Sequence, residues 1–439
     1  MVGDDELVER LLARDASLFV GATAAHSLGW LNHPERYLSE YLDTLRALPR
    51  HHERTLLLGM GGVSSSARFF AQSRSSSTLS VIDTSNPDTV SSIDFRGMNV
   101  IASSKSGTTI ETQTLLAHAL AHGLDPRDLV VITDPGSSLE QLALSLGAAV
   151  FLGDPESSGR FSGLSPFGLI PALYAGWTPE GLREELSSCA LTNDLVTRAV
   201  AFSHEIVRRG GVTGGFFELG ADPTTSGAAL WLEQLVAETT GKRGRGYVPV
   251  VAGPALDYRV RDIMFWHLVA AMLALWVGVD PFDQPDVESA KQDVFALLRG
   301  EVSWVEPRRD LAAMDASLAE STYVALQVYA PLSVSQDIAA LRERVQSRFG
   351  TTTANLGPRS LHSTGQLHKG GPAGVVALQI VQRPLSAPVR IEGRRYSFHD
   401  LHMAQARSDI SVMRGAGREI FQVIVDDLAE ARWLLNGAT

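Results

Sequence analysis

"NVIASSKSGTTIETQTLLAHALAHGL", residues 99–124, changes its period once. It opens as a short apolar run suited to a buried strand and closes as a segment with helical spacing and a terminal glycine. A polar turn of serine, lysine, glycine and threonine joins the two. A strand passing through such a turn into a helix is the repeating unit of an open α/β sheet. Outward from it, "TLLLGM" (55–60), "LSVIDT" (79–84), "LVVITD" (129–134) and "AAVFLG" (148–153) are short β-rich runs of the same kind. They predict a doubly wound α/β domain over roughly residues 30–185. A second series, "GGFFELG" (214–220), "GYVPVV" (246–251), "TYVALQVY" (322–329), "GVVALQIV" (374–381) and "EIFQVIV" (419–425), predicts further strands. Helical patterns lie among them near 195–209, 225–240, 259–278, 334–348 and 400–414, and residues 154–192 read as a helical connection. The expected class is α/β, with two doubly wound sandwich domains and mainly parallel sheets.

Composition narrows the functions. A chain of 439 residues has room for two or three domains. With 44% hydrophobic and 20% charged residues it reads as an ordinary soluble globular protein. A net charge of −11 argues against a nucleic-acid partner. Cys189, the single cysteine, allows no internal disulfide and suits a reducing cytoplasm. "MVGDDELVER" (1–10) is acidic and lacks an apolar core, so no signal peptide is expected. "MFWHLVAAMLALWVGV" (264–279) is short and carries His267, which predicts a buried helix rather than a membrane span.

Four of the 38 basic residues are lysines: Lys105, Lys242, Lys291 and Lys369. Lysine is a compact point charge and arginine a planar fork, so each lysine marks a place where the fork would not serve. Lys105 lies in the turn of the opening segment, at the carboxyl edge where open α/β sheets bind ligands. Thr108 and Glu111 fit the S/T-x-x-E capping box, which starts the helix at Thr108. Helix N–H groups with the Ser104, Ser106 and Thr109 hydroxyls would cradle a phosphate; an ordinary capped helix is the alternative. "GMGG" (59–62) lets a ligand approach the backbone. It is not the dinucleotide fingerprint, because Ser64 stands where the third glycine belongs, and "TGKR" (240–243) is not a P-loop. Arg160 sits in a turn rich in glycine and serine, "SSGRFSGLSPFG" (157–168). Gln234 and Glu238 are four apart on one face of a helix capped by Gly241. His362 and His368 lie in a polar loop, and "HDLH" (399–402) matches no zinc spacing and reads as a helix start.

Six stretches, "GMGG", "SSKSGTTIET", "SGRFSGLSPFGLIP", "EQLVAETTGK", "DPFDQPDVESAK" and "LHSTGQLHKGGP", together resemble the phosphoglucose isomerase family, whose members carry two sugar-isomerase (SIS) domains. The ending "FHDLHMAQARSDI" (398–410) is similar to the isomerase half of bifunctional transaldolase–isomerase proteins. The expected division is an N-terminal helical segment over 1–30, a first SIS domain with its helical connection over 31–192, and a second over 193–439. The resemblance implies reversible aldose–ketose isomerisation of glucose 6-phosphate and fructose 6-phosphate through a cis-enediolate, in cytoplasmic glycolysis and gluconeogenesis. It implies a small-molecule sugar phosphate as partner, no cofactor, no metal, no nucleic acid and no membrane. The alternatives are a mannose-6-phosphate-accepting isomerase and a non-catalytic sugar-phosphate-binding SIS protein.

By the same resemblance, Ser104, Ser106 and Thr109, with the Lys105 backbone, hold the phosphate, and Gly61 and Gly62 lie against the substrate. Arg160 is the cation beside the enediolate. Glu238 is the base that shuttles a proton between C2 and C1, with Gln234 on its helix face. Gln284 lies near the phosphate and Lys291 near the ring oxygen. His362 opens the ring, donated by a neighbouring subunit, which implies a homodimer with shared active sites. Two departures stand out. Val63 occupies the place of the family's serine in G-x-G-G-S, and the histidine element follows the lysine element, the reverse of the order in single-function isomerases.

Overall fold

The computed structural model of the protein describes residues 3–21, 23–38, 42, 48–74, 77–303 and 310–435. Strands β1 (Thr55–Gly59), β2 (Leu79–Ile82), β3 (Asn99–Ser103), β4 (Leu129–Thr133) and β5 (Ala149–Leu152) form a parallel sheet in the order β2-β1-β3-β4-β5. The central strands β1, β3 and β4 are buried on both faces, as a parallel sheet flanked by helices demands, while the edge strand β5 is partly exposed. Leu57, Ile101, Val130 and Ile132 point into one core, and Leu56, Leu58, Val100, Ala102 and Val131 into the other.

Among the described helices are α1 (Gly62–Gln72), α2 (Ile110–Ala121), α3 (Gly227–Thr240), α4 (Ile263–Val277), α5 (Pro285–Arg299) and α6 (Phe398–Gly415). From β1 the chain runs into α1, whose Ala67 and Phe70 join the first core. From β3, its neighbour in the sheet, it runs into α2, whose Leu115 and Leu116 join the second. Adjacent parallel strands that send their helices to opposite faces leave a crevice at their carboxyl ends. "GMGG" and "SSKSGTT" flank that crevice.

A second sheet contains β8 (Tyr323–Tyr329), β9 (Thr352–Gly357), β10 (Val375–Gln382) and β11 (Glu419–Val425) in the order β11-β10-β8-β9, again parallel. Strands β6 (Gly214–Glu218) and β7 (Gly246–Val250) pair with each other in a separate two-stranded parallel unit. All ten predicted strands are present, and β9 is an eleventh among the described residues. Its sequence, "TTANLG", has too few apolar residues to register as a strand, yet it is wholly buried. Its polar side chains find partners instead: Thr353 with His368 at 3.2 Å, and Asn355 donating to Glu233 at 3.0 Å.

α4 belongs to the one described helix, Val260–Val277, that is long and apolar enough to cross a membrane by composition, and 72% of that window is buried inside the fold. His267 on it packs against Trp30, Phe161 and Trp231, as a core residue. α6 serves both sheets: Phe398, Leu401 and Ala404 enter the core of the first, while Ile410 and Met413 enter that of the second.

Candidate active site

Two glycines let the walls of the crevice close on each other. Gly61 has φ +67°, and a Cβ on Gly62 would lie 2.3 Å from the Gly159 carbonyl oxygen, so the start of α1 rests directly on the Arg160 turn. Across the crevice, the loop after β3 is ordered by its own hydroxyls. Ser104 donates to Thr109 at 2.9 Å, and Ser106 pairs with Thr108 at the same distance. The loop ends at the N-terminus of α2, whose first-turn N–H groups have no intrahelical acceptor. The expected capping box does not form. α2 begins at Ile110 with Thr109 as N-cap, Thr109 makes no side-chain cap, and the Glu111 carboxylate turns to another partner.

Lys105 does not aim its charge at this loop. Its ammonium pairs with the Asp134 carboxylate and donates to the Asp154 carbonyl at 2.9 Å, tying the loop to the chain after β4 and β5. Asp154 in turn meets His33 at 3.2 Å and Arg36 at 3.1 Å. Burial pushes the Asp154 carboxyl up, but His33, the Glu156 N–H and Arg36 prevail and bring it down to about 2.

α3 supplies the floor. It is buried along its length, and Gly241 caps it as expected, its N–H reaching the Ala237 carbonyl. Gln234 accepts from Ser65 at 2.9 Å and donates to Glu238 at 3.1 Å and to the His362 carbonyl at 2.9 Å. One face of one helix therefore fixes the carboxylate and the histidine loop together. Arg160 Nε lies 3.3 Å from Glu238 Oε2 and is buried with no hydrogen-bond partner. The rest of its guanidinium is committed: Nη1 to the Pro281 carbonyl at 2.6 Å, and Nη2 to the Asp283 carbonyl and to Gln284 Oε1 at 2.9 Å. Lys242, buried behind it, pairs with Asp283 at 2.8 Å and braces the same 280–284 segment. Burial, with Arg160 nearby, lowers the Lys242 ammonium to about 8 despite Asp283.

His362 ends a short helical turn, Arg359–His362, and its Nε2 lies 2.8 Å from Glu111 Oε1. Burial raises the Glu111 carboxyl, but the nearby His362 and Lys291 outweigh it and the net shift is downward, favouring a carboxylate. The turn is anchored by Arg359, which grips buried Asp83 through two bonds of 2.8 Å, while Arg68 on α1 grips the same carboxylate. His368 is different. It is fully buried, against Thr353, and burial lowers it to about 3, so of the two histidines in the motif it is His362 that faces the crevice. Lys291 on α5 pairs with Glu288 at 2.7 Å, and Glu288 also accepts from Gln284 at 3.2 Å. Lys369 is buried away from the cleft, paired with Asp409 of α6 at 2.8 Å.

All twelve residues to which the resemblance assigns a role line one cleft of about 310 Å³, together with Met60, Val63, Asp134, Gly159, Val287 and Glu288. His362 reaches this cleft from the same chain as Glu238, held there by Gln234 and Glu111. Two contributors escaped the sequence reading, Glu111 and Glu288. Glu111 satisfied a local capping pattern, and its true partner is 251 residues away. Val63 is buried at the cleft wall, whereas Ser64 turns its hydroxyl back to the Gly61 carbonyl at 2.9 Å.

No family model matches the chain. Among curated proteins it is similar to the glucose-6-phosphate isomerase of Thermus thermophilus, 36% identical over 168 residues, covering 34% of this chain and 39% of that protein. It is similar to that of Campylobacter jejuni, 26% identical over 227 residues, covering 47% of this chain and 54% of that one. The isomerase of Staphylococcus haemolyticus matches at 22% over 398 residues, covering 65% of this chain and 89% of that one. The chain thus spans about two-fifths to one-half of the first two relatives. A solved glucose-6-phosphate isomerase from Chlamydia trachomatis aligns with a TM-score of 0.46 at 17% identity, over 67% of this chain and 78% of that one. The resemblance drawn from the six motifs to the phosphoglucose isomerase family is borne out by the curated relatives.

Proposed function

We propose that the protein is an aldose–ketose isomerase that interconverts glucose 6-phosphate and fructose 6-phosphate in cytoplasmic sugar-phosphate metabolism. The observation that carries this reading is the buried Glu238 carboxylate, 3.3 Å from an Arg160 nitrogen with no other partner, in the same cleft as a hydroxyl-lined helix N-terminus. Mere binding of a sugar phosphate would need only the second of these.

The substrate phosphate sits on Ser104, Ser106, Thr109 and the α2 N-terminus, with Gln284 opposite. His362, backed by Glu111, exchanges the proton between the ring oxygen and O1, with Lys291 near the ring oxygen. Glu238 then takes the proton from C2. The charge left on the enediolate oxygen is met by Arg160, which cannot surrender a proton to it. Glu238 returns its proton at C1, and the O2 proton moves to O1, so no atom is gained or lost. The division into a helical segment (1–30) and two SIS domains (31–192 and 193–439) belongs to the same reading.

The test is a coupled assay on purified protein with glucose 6-phosphate, mannose 6-phosphate and glucosamine 6-phosphate, run in parallel in D₂O. Turnover of glucose 6-phosphate with deuterium entering at C1 or C2 is expected. Val63 favours the mannose-6-phosphate-accepting alternative, and faster turnover of mannose 6-phosphate would establish it. Tight binding of all three without turnover would leave a binding protein.

A further inference from the structure

Behind Glu111 runs a line of buried side chains that the proposed reaction does not use. Gln405 on α6 donates from Nε2 to Glu111 Oε1, the oxygen that also faces His362. Its own Oε1 accepts from Ser85, in the segment after β2. The Ser85 hydroxyl lies 3.2 Å from His402 Nδ1, and His402 Nε2 lies 3.4 Å from Asn86 Nδ2. Asn86 is oriented by a donor that cannot turn, the Thr89 backbone N–H, which meets its Oδ1 at 3.1 Å. Ser85, Asn86, His402, Gln405 and Glu111 are all buried.

The polarity of this line follows from its far end. Asn86 Oδ1 is occupied as an acceptor, so its amide nitrogen faces His402 and donates. Burial, with His399 nearby, lowers His402 to about 3, so the ring is neutral and carries one proton. With Nε2 accepting, that proton is on Nδ1 and goes to Ser85. Ser85 has one hydrogen, which goes to Gln405 Oε1, and the Gln405 amide can then only present N–H to Glu111. Every link points the same way, and such chains strengthen their members.

We propose that Asn86, His402, Ser85 and Gln405 form a directional hydrogen-bond chain that holds Glu111 as an acceptor and thereby positions His362 for opening the sugar ring. These are positioning residues, reaching the substrate only through Glu111 and His362. The chain gives a function to "HDLHMAQ" (399–405), where His402 and Gln405, three apart, share a face of α6. The proposal rests on the isomerase reading, because ring opening is a step of that reaction.

Exchange NMR on glucose 6-phosphate measures catalysed interconversion of the α and β anomers, which requires ring opening and no proton transfer at carbon. Gln405→Leu should slow anomer exchange about tenfold or more, and Ser85→Ala, a smaller change, about threefold. Both should bind 6-phosphogluconate, which has no ring to open, within about twofold of wild type. Unchanged anomer exchange in the Ser85 variant would overturn the chain. A parallel loss of exchange and of 6-phosphogluconate binding would mean that these residues only hold the fold. If the wild-type protein neither exchanges anomers nor isomerises, the failure belongs to the isomerase reading instead.

Discussion

Glu238 meets three demands at once: it is buried, it is held by Gln234, and it faces a guanidinium nitrogen that nothing else occupies. Glutamine at this position keeps the shape and a hydrogen-bonding end but cannot accept a proton from carbon. General-base catalysis contributes ~10²–10⁴ in rate, so Glu238→Gln should lose at least about a hundredfold in kcat while 6-phosphogluconate still binds. Steady-state kinetics beside calorimetric titration separates the two, and near-normal turnover would remove Glu238 as the base. Val63 offers a milder test. It lines the cleft without a hydroxyl, so Val63→Ser should change substrate affinity by about 1 kcal/mol or less, and identical KM values would show that the side chain does not reach substrate. Residues such as these were legible because each sits in a compact motif. Glu111 was not, because a threonine three residues before a glutamate satisfies the capping pattern whether or not the cap forms. Lys105 lines the cleft, and its side chain serves as a strut to Asp134 and Asp154.

Elements were readable where burial is apolar and obscure where it is polar. β1, β3 and β4 announce themselves as unbroken apolar runs. β9 hides because its buried threonines and asparagine are satisfied by His368 and Glu233, partners that no local pattern displays. Glu233 makes that contact a source of pH dependence. Burial pushes its carboxyl from 4.5 up to about 8, with the Asn355 amide opposing. A raised folded-state value stabilises fully below the unfolded value and is lost as pH rises through the folded one. The melting temperature should therefore fall between about pH 5 and pH 9, and Glu233→Gln, which cannot ionise, should flatten that slope. Scanning calorimetry of both proteins decides it. The turn bearing His362 depends on Arg359 in a different way. Removing one partner of a buried ion pair costs about 3–5 kcal/mol, and Arg68 still faces Asp83 here, so Arg359→Leu should cost about 3 kcal/mol in denaturant unfolding. A cost near zero would show that Arg68 alone satisfies Asp83.

Across the whole molecule, the sequence carried the class and the parallel sheets but not the way the two halves meet. The motif order hinted at it, since the histidine element comes late, and the structure brings that element back to the crevice of the first sheet. With Glu238 and His362 in one cleft of one chain, two inactive variants cannot repair each other. Glu238→Gln and His362→Gln proteins, unfolded together and refolded as a mixture, should regain no activity. Recovery would mean that sites are shared between chains after all. The same arrangement bears on synthesis at the ribosome. Phe398, Leu401 and Ala404 cover a face of the sheet whose first strand was made at residue 55. A nascent polypeptide must expose that greasy face until residue 404 has left the exit tunnel, so a pause in translation before this point would present a sticky, half-covered sheet to chaperones.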